Sequence, residues 1–298
     1  MPDGYAHKYN AQQAMHIAGY KPRNYRAFIL GCNGPDMLYF YQMYNPRRKI
    51  SMKKLAMRMH TEKTGLFLQN LFRFAQTNAQ KDYCLGFLCH YALDSVMHPY
   101  INYITTAYGH PFNCEYGHYW FESSLDSHLS HHESGEVAAH PNAYVPEIKK
   151  MYMDQIVTLF KQAVEATYTD IEFDRSEYNK IFSDYRKVKK LLYAPYNVKS
   201  SLSGIAELVL KHPKGYLASH MQPCTKPLEN VAIWRNNPVG FFCDSTIEEL
   251  MGRANQMAAD YINAGLQYFA GIYNVGDLLE DIGNKSYITG LAVDEQAK

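Results

Sequence analysis

The run CHYALDSVMHPY, residues 89–100, places His90, Asp94 and His98 at four-residue intervals. On a helix, residues four apart lie one turn apart on one face, so His90 with Asp94, and Asp94 with His98, can each meet a common ion. His90 and His98 are separated by about 12 Å of helix axis, at about 1.5 Å per residue. Ligands of one zinc ion sit only about 2 Å from it, so these two histidines serve different ions if they bind metal at all. The spacing therefore points to a multinuclear site with Asp94 as a bridge between ions. A second stripe, HYWFESSLD, sets His118, Glu122 and Asp126 at the same interval. The alternative for either stripe is a carboxylate paired with a histidine on a wet surface. Against it, Cys89, Tyr91, Ala92, Leu93, Val96 and Met97 surround the first stripe. A helix with such neighbours is buried on most sides, and buried charges require partners.

The elements that must present these stripes are helices, because nearly every long segment carries helical periodicity and few runs alternate as strands do. The expected class is all-α, as a single compact multi-helix domain over 1–282 with a tail at 283–298. Asp3 caps a helix over 4–19 that Gly19 and Pro22 break; 25–31 is a helical turn running into a loop through Asp36. Residues 51–77 form one long helix or two shorter ones. Residues 80–98 form the stripe-bearing helix, ending near Pro99 because the residue before proline resists helical geometry. Further helices are expected over 118–132, 146–167, 176–192 and 200–212. The proline- and glycine-rich stretch 213–244 reads as a long irregular loop, of a length usually reserved for lids. Ser245 to Glu248 reads as a capping box opening a helix to about Ile272. The tail from Gly283 has little to bury and is expected to fray.

Composition narrows the partners. Lys and Arg number 30 against 29 Asp and Glu, a formal charge of +1 over 298 residues. No global field attracts nucleic acid, and no stable nucleic-acid complex is expected. The patches Arg47-Arg48-Lys49 and Arg186 to Lys190 read as solvated faces. The opening MPDGYAHKYN has no basic segment followed by an apolar one, and no segment reaches the roughly 18 apolar residues that span a bilayer. The expectation is a cytoplasmic protein with no transmembrane segment. The six cysteines are accordingly read as reduced thiols. Of 13 histidines, eight fall between His60 and His132. Cys114 with His118 is a weaker zinc pair, and His128, His131, His132 and His140 read as an exposed helix end and loop.

Taken in order, YAH, GPD, MHTEKTGLFL, HYALDSVMHPY and HYWFESSLD resemble the signature of the zinc-dependent phospholipase C family, over residues 1 to about 130 and more loosely at 233–254. Glycosylphosphatidylinositol-specific phospholipase D and single-strand-specific zinc nucleases are related to it. The resemblance implies an all-α fold holding two or three zinc ions. By that resemblance Asp36, His60, His90 and Asp94 hold a first zinc. Asp94 bridges to a second, bound also by His7, and His98, His118 and Glu122 hold a third. Asp126 matches the helix without being a ligand, and is expected to hydrogen-bond a ligating histidine. Secreted members also bind the second ion through an N-terminal tryptophan; this chain begins Met1-Pro2.

Several zinc ions in one cleft suit phosphate ester hydrolysis, because a shared water is acidified and phosphate oxygens are polarised. The expected activity is a zinc-dependent, phospholipase C-like phosphodiesterase in which a metal-bound hydroxide attacks phosphorus in line. Asp36 is a ligand that also orients or deprotonates the water, or a ligand alone. The substrate is a phospholipid or another phosphodiester. Tyr39, Tyr41 and Tyr44 face a quaternary ammonium head group, or else belong to core and rim. The rivals are a nuclease or nucleotidase on the same scaffold, and a non-catalytic relative that binds metal or lipid head groups.

Overall fold

The computed structural model describes residues 4–45, 51–195, 198–209, 211, 213–221, 223–224, 226–236 and 239–293. The chain is all-α. Helices α1 (Gly4–Ile17), α2 (Tyr25–Gly31), α3 (Ser51–Thr61), α4 (Thr64–Phe74), α5 (Asn78–Ile104) and α6 (Gly117–Ser134) make up the first half. Helices α7 (Lys150–Thr167), α8 (Arg175–Leu192), α9 (Val198–Val209), α10 (Ile247–Phe269) and α11 (Val275–Ile282) follow. The patch Arg47-Arg48-Lys49 lies outside the described residues.

Helix α5 is the axis. Thr77 opens it with a capping box, its hydroxyl accepting from the Gln80 N–H while the Gln80 side chain accepts from the Thr77 N–H. From Asp82 to Ser95 every residue is buried, the pattern of a helix surrounded by protein. It packs against α10, α2, α1 and α7. Any polar side chain on this stretch must therefore find its partners inside the fold.

Several expectations need correction. Helix α5 does not stop at Pro99 but runs to Ile104. Proline costs a helix interior about 3 kcal/mol through its missing N–H and its clash with the preceding turn. Beyond it, Tyr100, Ile101 and Ile104 are fully buried with Phe121, Leu125 and Trp234 in a second core, which outweighs that cost. The Ser95 carbonyl, left without its helical donor, is covered by Gly290: a Cβ there would sit 2.5 Å from Ser95 O. The segment 51–77 is two helices, broken at Lys63 with φ +54°. Where a loop through Asp36 was expected, Gly34–Phe40 is a 3-10 helix. The capping box before α10 is shifted by one, to Thr246 and Glu249. The long loop holds a 3-10 turn at Ala218–His220 and a short antiparallel hairpin, β1 (Trp234–Asn236) and β2 (Phe241–Cys243).

The tail beyond Gly283 does not fray over its described part. The Asn284 side chain accepts from Thr64 Oγ1 and Gly65 N, closing the start of α4, and Tyr287 is fully buried. All six cysteines are free thiols. No helix among the described residues is long and apolar enough to cross a membrane.

Candidate metal centre

Four elements converge on one buried cluster. His7 comes from α1, Asp36 from the 3-10 helix, His60 from the end of α3, and His90 and Asp94 from α5. One ligand atom each from Asp36, His60, His90 and Asp94 lies within 4.8 Å of the other three. Asp94 Oδ2 is 3.0 Å from His90 Nε2 and 3.6 Å from His60 Nε2, while its other oxygen is 3.4 Å from His7 Nε2. Asp36 Oδ1 is 3.1 Å from His60 Nε2, and Oδ2 is 3.8 Å from His7 Nε2. The His7 ring stacks on His90 at 4.1 Å. A second group, His98 with His118 and Glu122, forms where α5 meets α6 and also spans no more than 4.8 Å. His90 and His98 thus fall in different groups, with Asp94 between them on the same helix.

Backbone carbonyls set the ring orientations. His60 Nδ1 is 2.6 Å from Ala56 O, His90 Nδ1 is 3.2 Å from Cys32 O, and His98 Nδ1 is 2.8 Å from Tyr287 O. A carbonyl only accepts, so each of these nitrogens carries the proton and each Nε2 turns a lone pair inward. His90 Nε2, His98 Nε2, both ring nitrogens of His7 and both oxygens of Asp94 are buried with no hydrogen-bond partner. Buried polar atoms left in that state cost several kcal/mol apiece, so a cation among them is the arrangement that the donors fit.

Electrostatics support the same reading. Burial, with repulsion from His90 next, holds His7 well below the usual histidine range. Burial also lowers His60, and brings His98 down to about 3. All three are therefore neutral imidazoles at pH 7, the form that binds metal. The two carboxylates differ. Burial pushes Asp94 up, but His90 and His98 outweigh it and hold the group well below the usual carboxylate range. Burial lifts Asp36 to about 8. Asp94 is fully enclosed, whereas the Asp36 side chain keeps 9 % exposure. His118 is more open, with 30 % of its side chain exposed and its Nε2 2.7 Å from Glu122 Oε1.

Around the donors, three features were not legible in the sequence or were read differently. Among the described residues, Asp126 meets the start of α1 rather than a histidine. Its carboxylate, fully buried, accepts from Tyr5 N at 2.9 Å and Ala6 N at 2.7 Å, which are first-turn donors of α1 left over by the helix itself. It fixes the turn from which His7 projects. Lys8 Nζ, 2.9 Å from Glu133 Oε2, ties the same turn to the far end of α6. Gly34 is the second: its φ is +50° and a Cβ there would lie 2.2 Å from His90 Cδ2, so a side chain at 34 would displace the ring.

Tyr287 is the third. Its carbonyl accepts from His98, its N–H donates to His60 O at 2.8 Å, and its ring lies 5.3 Å from His60 and 5.8 Å from His90. One residue near the C-terminus therefore braces both groups. Of Tyr39, Tyr41 and Tyr44, the first is at the cluster, 5.8 Å from His60. Tyr41 and Tyr44 turn away to Glu177 and Asp184 of α8. Cys114 is exposed and outside either group, and His128, His131, His132 and His140 are exposed as expected.

A family model described as zinc dependent phospholipase C matches residues 6–178, more than half of the chain. The chain belongs to the zinc-dependent phospholipase C family. All eight clustered side chains fall inside the matched span, whereas Tyr287, α9 and the segment 233–254 fall outside it. No curated protein and no solved structure matches the chain significantly. The imidazole and carboxylate donors in the two groups are of the kinds that zinc takes.

Proposed function

We propose that the chain is a phosphodiesterase of the phospholipase C type that cleaves a phospholipid, on the cytoplasmic side of a membrane, using three zinc ions. Asp36, His60, His90 and Asp94 hold the first, His7 and Asp94 the second, and His98, His118 and Glu122 the third. The observation that carries this reading is the placement of Asp94, which turns one oxygen to His60 and His90 and the other to His7. A carboxylate so placed would serve two ions rather than pair with one histidine. When bound, zinc supplies an acidified water and neutralises phosphoryl oxygens.

The protein's own groups do the rest. Carbonyls of Ala56, Cys32 and Tyr287 hold three imidazoles in one tautomer, so each donor keeps its direction. Asp36, the more open of the two carboxylates, is suited to take a proton at Oδ2, the oxygen away from His60. Asp94, held anionic and enclosed, is not available for that role. Tyr39 stands at the rim, where a substrate head group can meet its ring. Residues 1–3, the counterpart of the N-terminal ligand in secreted members, lie outside the described residues.

Asp94→Asn should lose both zinc and hydrolysis of a generic phosphodiester, whereas Asp36→Asn should lose hydrolysis and the first ion while the ion at His98, His118 and Glu122 stays bound. A panel of phospholipids, nucleotides and single-stranded nucleic acid decides the substrate. Turnover confined to nucleotides or nucleic acid would replace the phospholipid by a nuclease substrate, and a zinc-loaded wild type inert toward the whole panel would leave a binding protein.

A further inference from the structure

Helix α9 carries its polarity inside out. The side chains it turns into the protein include Ser203 and Glu207, 5 % and 2 % exposed, while Leu202, Ile205, Leu208 and Val209 are 58 %, 59 %, 79 % and 72 % exposed. At about 100° per residue these four fall in one stripe about 120° wide, an apolar face of the width that ordinarily packs on a core. Here it faces outward because the helix is anchored by charge instead. Glu207 Oε2 accepts from Gly215 N at 2.9 Å, and Oε1 accepts from Leu217 N at 2.6 Å and Ala218 N at 2.8 Å. Hydrogen bonds to an ionised acceptor are the stronger kind, so this carboxylate holds α9 to the turn at 215–218 without using the apolar face.

The surroundings of that face select its partner. Exposed Lys199, Lys211 and Lys214 flank it at both ends. Between Lys199 and Lys226 the only acidic residue is Glu207, which is buried. An apolar stripe rimmed by lysines matches the boundary of an anionic lipid surface, where acyl chains take the apolar face and lipid phosphates take the ammonium groups. A second copy of the chain is a poorer match, since two such faces would set lysine against lysine.

The face is also joined to the metal centre. The 3-10 turn after the Glu207 anchor packs on α6, with Ser123 Oγ donating to Ser219 O at 2.7 Å. The His220 ring lies 4.2 Å from Tyr119, whose ring lies 6.0 Å from His118. We propose that α9 is a docking helix that seats the chain on an anionic phospholipid surface through Leu202, Ile205, Leu208 and Val209. The proposal rests on the phospholipid reading for its purpose, but its test does not depend on turnover.

The experiment is sedimentation of the full zinc-loaded chain with vesicles of phosphatidylcholine, with and without phosphatidylserine. The Leu202→Ser, Ile205→Ser, Leu208→Ser variant should weaken binding on the order of tenfold or more, because each side chain removes apolar area from the contact. Its urea midpoint and its hydrolysis of a soluble short-chain phosphodiester should match wild type. Lys199→Glu with Lys214→Glu should abolish the preference for phosphatidylserine. Wild-type binding by the triple serine variant, or no vesicle binding by wild type, overturns the proposal. So does a wild-type dimer in gel filtration that the triple variant dissociates. Vesicle binding that depends on α9, without phospholipid cleavage, would sink the substrate reading and leave the docking helix standing.

Discussion

Replacing Asp126 by Asn tests how the first turn of α1 is held. The Asp126 carboxylate accepts from Tyr5 N and Ala6 N at 2.9 and 2.7 Å and is fully buried. Asparagine keeps one acceptor oxygen and turns an NH2 group toward the other N–H, so one buried donor is left unpaired. That loss costs about 1–3 kcal/mol. Removal of a negative charge beside a helix N-terminus costs about 0.3–1 kcal/mol more, and up to about 2 in partly buried geometry. The expected destabilisation is therefore about 1–5 kcal/mol, read from urea unfolding of the zinc-stripped chain. His7 follows Ala6 directly, so the variant should also lose the weakest-bound zinc, read by chelator competition. A change in stability below about 0.5 kcal/mol, within the range of an ordinary surface substitution, would refute the assignment of Asp126 as the anchor of this turn.

Three further outcomes follow from particular contacts. Gly34→Ala should displace the His90 ring and strain a left-handed backbone position, so zinc content should fall even where the variant folds; unchanged zinc affinity would contradict the close approach. Tyr287→Ala removes a fully buried ring, which should lower unfolding free energy by about 3–5 kcal/mol; the backbone carbonyl that accepts from His98 remains, so zinc affinity should stay within about tenfold of wild type. Lys189, buried above the Phe40 ring, is brought down to about 7 by burial. The unfolded chain keeps that proton to about pH 10.4, so between about 7 and 10 it binds more protons than the folded one and wild-type stability rises with pH. Lys189→Met should be the more stable at pH 6, with its advantage shrinking toward pH 10; urea midpoints at both pH values check the sign.

What could be seen in the sequence was what local periodicity encodes. The i, i+4 spacing of His90, Asp94 and His98 separates the two histidines into different groups because the helix rise leaves no choice. His7, Asp36 and His60 come from three other elements, and no spacing rule joins them; only the resemblance of their short motifs did. Asp126 was assigned to a histidine because its stripe contains one, yet its partners arrive from a helix start 120 residues earlier. Tyr287 carries no signal at all, since it acts through its backbone carbonyl and N–H, which every residue type has. Pro99 misled for a related reason: the local rule ends the helix, and the buried residues beyond it override the rule. The apolar stripe of α9 was visible as periodicity, but which side of the helix it lay on depended on Glu207 and the turn it binds.

Zinc titration of the chelator-stripped chain, followed by phosphodiester hydrolysis at each point, bears most directly on the proposed chemistry. About three equivalents should bind, hydrolysis should appear only once the ions around Asp94 are in place, and Asp94→Asn should show neither full binding nor turnover. A chain that takes up no zinc, or that cleaves a phosphodiester equally well with and without it, would contradict the proposal.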